Sequence, residues 1–170
     1  MTCWSGKSLY VDLSKGTIKK EDIPEELYKA YLGGDGFGSY YMNKFVGGNT
    51  DPLGEENALI LAPGLFVGTP VPTAGKSEFF AKSPLTYGWG EGACGGSIGL
   101  ALKQAGYDVL IIKGRSEKPC YLFIDNDNAE IRDASHLWGK STRETEEEIK
   151  KEESGCSVAC IGIGGENLVR

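Results

Sequence analysis

Apolar positions along this chain recur with two different periods, and each change of period marks a new short element. Ser8-Leu-Tyr-Val-Asp-Leu13 alternates, Ser14-Lys15-Gly16 turns, and Thr17 to Glu21 returns, which predicts a hairpin with glycine at its turn. Pro24 suits the first position of a helix, Glu25 and Glu26 follow it, and Gly33-Gly34 would end it near Leu32. Leu27 and Tyr31 form the apolar face of that helix. A second short helix opens at Gly36-Phe-Gly38 and carries Phe37, Tyr40, Tyr41 and Phe45. Val46 to Glu56 is a loop by its Gly, Asn, Asp and Pro, and Asn57 to Ala62 is a buried strand.

Pro63 to Gly75 interrupts short apolar pieces with prolines and glycines, so it is neither helix interior nor central strand. A structural corner and a ligand-facing loop both remain open for it. Lys76 to Lys82 predicts a strand. The segment from Ser83 to Gly114 then organises the chain. Six glycines fall between Gly88 and Gly99, Ile98, Ala101, Leu102 and Ala105 follow at helical spacing, Gly106 stops the helix, and Asp108 to Ile112 reads as a buried strand. A glycine-rich loop feeding a helix start brings main-chain N–H groups within reach of an anionic ligand. This stretch is the candidate ligand cradle.

Cys120 to Ile124 and Ala129 to Asp133 flank Asp125-Asn-Asp-Asn128 as a second hairpin. Ser141-Thr-Arg-Glu144 is a capping box that opens a charged helix running to about Glu153. Val158 to Ile163 predicts a last strand. Strands outnumber helices and connect as hairpins, so the expected class is α+β rather than a doubly wound sheet, and the paired hairpins raise an old duplication.

The 170 residues suit one domain with a substantial core. A net charge of −6 argues against a general nucleic-acid binder, which needs a concentrated basic face. No apolar run approaches the ~20 residues that span a bilayer, and the N-terminus lacks the apolar core of a signal peptide. The expected location is cytoplasmic, with no membrane and no nucleic acid. Five scattered cysteines favour reduced thiols over a disulfide framework. Cys156 and Cys160, if on one strand, stand about 13 Å apart, too far for one zinc or one cluster iron, and are expected as small buried hydrophobes. His136 is the single histidine, which excludes a His-rich metal site or a Ser-His-Asp triad within the chain and leaves it a structural role.

Gly90-Glu-Gly92-Ala-Cys-Gly95 matches G-x-G-x-x-G literally, but Tyr87-Gly-Trp89 is a poor preceding strand and Lys113 ends the following one where an acid is needed. A Rossmann site is therefore disfavoured, and no Gly-Lys-Ser/Thr completes a P-loop. Glu91 reads as a lone surface carboxylate. The residues alone lead to a cradle for a phosphate-bearing cofactor, with no catalytic constellation beside it.

A series of short motifs goes further. Asp51-Pro-Leu, Glu56-Asn, Thr69-Pro, Pro72-Thr, Lys82-Ser-Pro-Leu-Thr86, Gly95-Gly96, Ala105-Gly-Tyr-Asp108, Ile131-Arg-Asp-Ala-Ser-His-Leu-Trp-Gly-Lys140 and Gly165-Glu-Asn-Leu-Val169 follow in this order. Together they resemble the N-terminal domain of the tungsten-containing aldehyde ferredoxin oxidoreductase family over nearly the whole length, residues 1–170. The resemblance implies two β-sheets with short helices forming the base for a tungsten (or molybdenum) bis-pterin cofactor with magnesium. It implies aldehyde oxidation to carboxylic acids, with electrons passing through a [4Fe-4S] cluster to ferredoxin. Relatives that reduce aromatic acyl thioesters leave the substrate open.

Carried over by position, the resemblance places cofactor contacts at Lys76, Ala93, Cys94, Gly95 and Gly96. Lys76 stands where the family has an arginine, keeping the charge but not the bidentate fork. Ala93 stands where the family has an asparagine that helps hold magnesium, so a main-chain carbonyl would have to substitute. Cys94 is expected as a small loop residue rather than a metal ligand. No catalytic residue and no protein metal ligand is assigned within the chain. The cluster cysteines and acid–base residues are expected in later domains, so the expected partner is the remainder of the polypeptide or a large subunit, with a homo-oligomer open. A stand-alone pterin-binding scaffold is the alternative.

Overall fold

The computed structural model describes residues 3–169. Strands β1 (Lys7–Asp12) and β2 (Thr17–Asp22) form the first hairpin, followed by helices α1 (Glu25–Tyr31) and α2 (Asp35–Phe45). Strands β3 (Ala58–Pro63), β4 (Ser77–Lys82) and β5 (Trp89–Cys94) precede helix α3 (Ile98–Gln104) and strand β6 (Val109–Lys113). Hairpin β7 (Cys120–Asp125) and β8 (Asn128–Asp133) leads to helices α4 (Thr142–Glu152) and α5 (Ile163–Glu166). A six-stranded mixed sheet runs β2-β1-β6-β3-β4-β5, with β1 and β6 parallel, and β7-β8 forms a separate two-stranded sheet. The α+β class and the two sheets are as expected from the sequence.

Side-chain alternation along the central strands explains the layering. Ala58, Ile60, Ala62, Phe80, Val109 and Ile111 share one face with Tyr28, Phe37, Tyr41 and Met42 of α1 and α2. Leu9, Val11, Leu61 and Leu110 cluster on the other with Leu102 of α3 and Tyr107. Leu122, Ile124, Ala129 and Ile131 of the small hairpin pack on that second cluster. Both faces of the central strands are thus covered, as their near-continuous apolar sequences require. α4 is capped as its sequence predicts, with Ser141 Oγ accepting from the Glu144 N–H and Glu144 Oε2 accepting from the Ser141 N–H. It turns only Thr145 and Ile149 inward, toward Ala134 and Leu137.

Two local expectations are corrected. Half of the glycine-rich stretch is not loop: Trp89–Cys94 is an edge strand, because β4 offers a complete antiparallel ladder from Ser77↔Cys94 to Lys82↔Trp89. Gly90 lets the two backbones close up, since a Cβ there would stand 2.8 Å from the Ala81 carbonyl oxygen. Conversely, Val158 to Ile163 forms no strand; the segment is irregular and then enters α5. A strand needs a neighbouring edge to satisfy its N–H and C=O groups, and no described strand pairs with this segment. Cys160 is accordingly exposed rather than buried, while Cys156 is half-buried.

Candidate functional site

The candidate cradle is built where β4, β5 and α3 meet. Ser77 pairs with Cys94 and Glu78 with Ala93 at the end of the ladder, which leaves Lys76 beside the bend at Gly95 to Ser97. The Lys76 carbonyl accepts from the Gly64 N–H at 3.1 Å, so the corner after β3 fixes the lysine's backbone. Lys76, Ala93, Gly95 and Gly96 are exposed and Cys94 is half-buried. No atom lies within 4 Å of where a Cβ would stand on Gly95 or Gly96, and Gly96 has a φ of +84°. The bend therefore presents bare backbone to an open side, flanked by one positive charge. The five positions read from the sequence lie together at one corner of the sheet.

Electrostatics divide the corner. Burial pushes the Cys94 thiol above its usual range and the Glu78 charge adds to the effect, so the sulfur stays protonated at neutral pH and is a poor ligand or nucleophile. Asp35 in the first turn of α2, Glu78 and Glu91 bring carboxylate oxygens within 4.8 Å of one another. Glu78 Oε2 is buried with no hydrogen-bond partner, and burial, then Asp35 and Glu91, raise its pKa. Glu91 accepts from Trp89 Nε1 at 2.8 Å. Glu91 is thus not the lone carboxylate its sequence context suggests: the β4–β5 pleat and the start of α2 supply two more acids. The clue in the sequence was a charged residue at position 78, in step with buried Phe80.

The Pro63–Gly75 segment proves to be a corner with an exposed rim. Val67 is buried, while Phe66, Val71 and neighbouring Leu100 of α3 remain exposed. Gly68 closes on α3, with its Cβ position 3.4 Å from Leu100 Cδ1. His136 is exposed, with Nε2 3.4 Å from Glu152 Oε1 of α4.

Residues 8–170 match the profile of the family described as aldehyde ferredoxin oxidoreductase, N-terminal domain. The chain belongs to this family. It is 47 % identical over 167 residues to the tungsten-containing aldehyde ferredoxin oxidoreductase of Thermococcus kodakarensis, covering 97 % of this chain and 28 % of that protein. The Pyrococcus furiosus enzyme of the same name is 45 % identical over the same shares. A Pyrococcus furiosus aliphatic sulfonate oxidoreductase, WOR-like subunit, is 38 % identical over all of this chain and 30 % of its own length. The solved active site complex BamBC of benzoyl coenzyme A reductase, with 1,5 dienoyl-CoA, superposes with a TM-score of 0.95 at 41 % identity, covering 98 % of this chain and 26 % of that one. The chain thus spans little more than a quarter of the length of these relatives. Among the described residues no helix is long and apolar enough to cross a membrane.

Proposed function

We propose that this chain is the cofactor-base domain of a tungsten (or molybdenum) bis-pterin oxidoreductase that oxidises aldehydes to carboxylic acids with ferredoxin as acceptor. The observation that carries the reading is 45–47 % identity, over nearly all of the chain, to tungsten-containing aldehyde ferredoxin oxidoreductases. The corner described above fits such a group: exposed glycine backbone at residues 95 and 96 admits a bulky ligand, and Lys76 offers charge to a phosphate. Lys76 and residues 93–96 would hold the pterin, with magnesium taking a main-chain oxygen near Ala93 because that side chain offers none. When bound, the group supplies two-electron chemistry at the metal, and a [4Fe-4S] cluster carried elsewhere relays electrons. The chain's own part is to seat and orient the ligand. Catalytic groups are assigned to the remainder of the polypeptide or a large subunit. Five free cysteines suit a cytoplasmic setting.

Reduction of an aromatic acyl thioester is the second reading, favoured by the fold match to the benzoyl coenzyme A reductase complex. Full-length protein grown with tungstate and molybdate and assayed for metal, pterin, aldehyde oxidation and thioester reduction decides between them. Bound tungsten with aldehyde-dependent ferredoxin reduction is expected. A Gly95→Val variant should lose most of its metal and pterin, because the new side chain fills the open face of the bend. Full metal loading of that variant would overturn the loop assignment.

A further inference from the structure

One residue touches both ends of the bend. Ser77 is the ladder partner of Cys94, and its side chain lies against Gly99 in the first turn of α3. A Cβ on Gly99 would stand 1.6 Å from Ser77 Oγ and 2.8 Å from Ser77 Cβ, with Pro63 Cβ at 3.6 Å. The helix reaches the sheet this closely only with a hydrogen at 99 and a small side chain at 77. Ser77 is 1 % exposed, and its Oγ has no hydrogen-bond partner among the described residues. With no hydrogen bond to make, the side chain acts here through its shape. The next residue back is Lys76, whose carbonyl is tied to Gly64. One short backbone segment therefore carries the lysine and, through Ser77, both anchors of the glycine bend.

We infer that Ser77 and Gly99 are positioning residues of this corner: their contact sets the height of the Gly95–Ser97 bend over Lys76, and so the spacing between backbone and cation offered to a phosphate-bearing ligand. The inference rests on the cofactor-base reading. With a Cβ added at 99 against an intact Ser77, α3 is pushed off β4, the bend rises with it, and the lysine is left at the wrong distance. The two substitutions are coupled by geometry. Gly99→Ala collides with the hydroxyl and Cβ of Ser77, and Ser77→Gly removes both atoms.

The test uses the full-length polypeptide that carries this chain, purified from tungstate-supplemented cells as wild type, Gly99→Ala and Ser77→Gly/Gly99→Ala. Tungsten and pterin are measured per folded molecule, and hydrogen exchange is read on the same samples. Gly99→Ala should hold about tenfold less of both, the scale of ~1.4 kcal/mol of binding, and the double variant should regain most of the loss. Amides 101–105 of α3, hydrogen-bonded in the wild type, should exchange faster in Gly99→Ala while β1, β3 and β6 keep their protection, which separates a displaced helix and bend from a failed fold. Loading of Gly99→Ala equal to wild type, a double variant that recovers nothing, or protection lost equally across the central strands would each overturn the inference. A wild-type protein without metal or pterin would sink the cofactor assignment instead, and exchange at 101–105 would then decide the contact on its own.

Discussion

The sheet holds two carboxylates in opposite circumstances. Asp108, just before β6, is 2 % exposed and surrounded by donors: the Ser5 N–H at 2.8 Å, Ser5 Oγ at 2.7 Å, the Gly6 N–H at 2.7 Å, the Tyr28 hydroxyl and Lys103 Nζ. Burial alone would raise its pKa, but Lys103, Tyr28 and Ser5 outweigh it and hold the carboxyl below its ordinary 3.8. Glu78, on β4, has a buried oxygen with no donor among the described residues, and burial, then Asp35 and Glu91, raise its pKa instead. The first group ties the segment before β1, α1 and the end of α3 to the sheet. The second sits beside the bend and Lys76 with its hydrogen bonding unfinished. The two stand at the same end of the sheet, on β4 and just before β6 with only β3 between, so one is tied down where the other is left open.

Breaking the donor cluster around Asp108 should cost most. Asp108→Ala leaves Lys103, whose side chain is 10 % exposed, buried without its counter-charge, and losses of that kind run to about 3–5 kcal/mol. Thermal or denaturant unfolding should show the loss, while any folded fraction keeps its cofactor content; unchanged stability would remove Asp108 from its anchoring role. The same contrast gives a pH dependence. Because the folded pKa of Asp108 is lowered, its stabilisation is present above the unfolded value and disappears as pH falls through the folded one. Asp108→Asn should flatten the acid limb of stability below about pH 4, checked by melting temperature against pH.

Smaller effects sharpen the comparison. Ser141→Ala removes the cap of α4, far from either carboxylate, and should cost about 1 kcal/mol without altering metal loading. At Glu78 the sign reverses. The raised pKa of Glu78 means that stability is fully present below its unfolded value and is lost as pH rises through the folded one. Glu78→Gln should therefore stabilise the protein at neutral pH by a few tenths of a kcal/mol, within the usual range for surface changes, with the gain fading in acid. A loss at neutral pH would show that the carboxylate has a partner its surroundings do not reveal.

Much of this was legible before any coordinates. The change of hydrophobic period placed both hairpins, the helices over 25–31 and 35–45 and the charged helix after Ser141 close to their observed limits, because each is set by residues within a few positions of one another. The ordered short motifs pointed to the family, and they brought Lys76 and residues 93–96 into view as one group. Two readings failed for a shared reason. The glycines of Trp89–Cys94 suggested a loop until β4 supplied a ladder, and Val158–Ile163 suggested a strand to which no described strand pairs. Strand formation depends on a partner that is distant in sequence, and local composition is blind to it.

The two hairpins, the helices at 25–31, 35–45 and after Ser141, the α+β class and the family pattern follow from residue order, because all rest on local periodicity and on short motifs in sequence. Tertiary structure alone decided that Ser77 would meet Gly99, that Asp35, Glu78 and Glu91 would converge, and that Asp108 would gather donors from residues 5, 6, 28 and 103. These contacts join residues up to 103 positions apart. Whether a side chain at such a position is satisfied, crowded or left open follows from how the sheet and helices close on each other, which no short window of residues specifies.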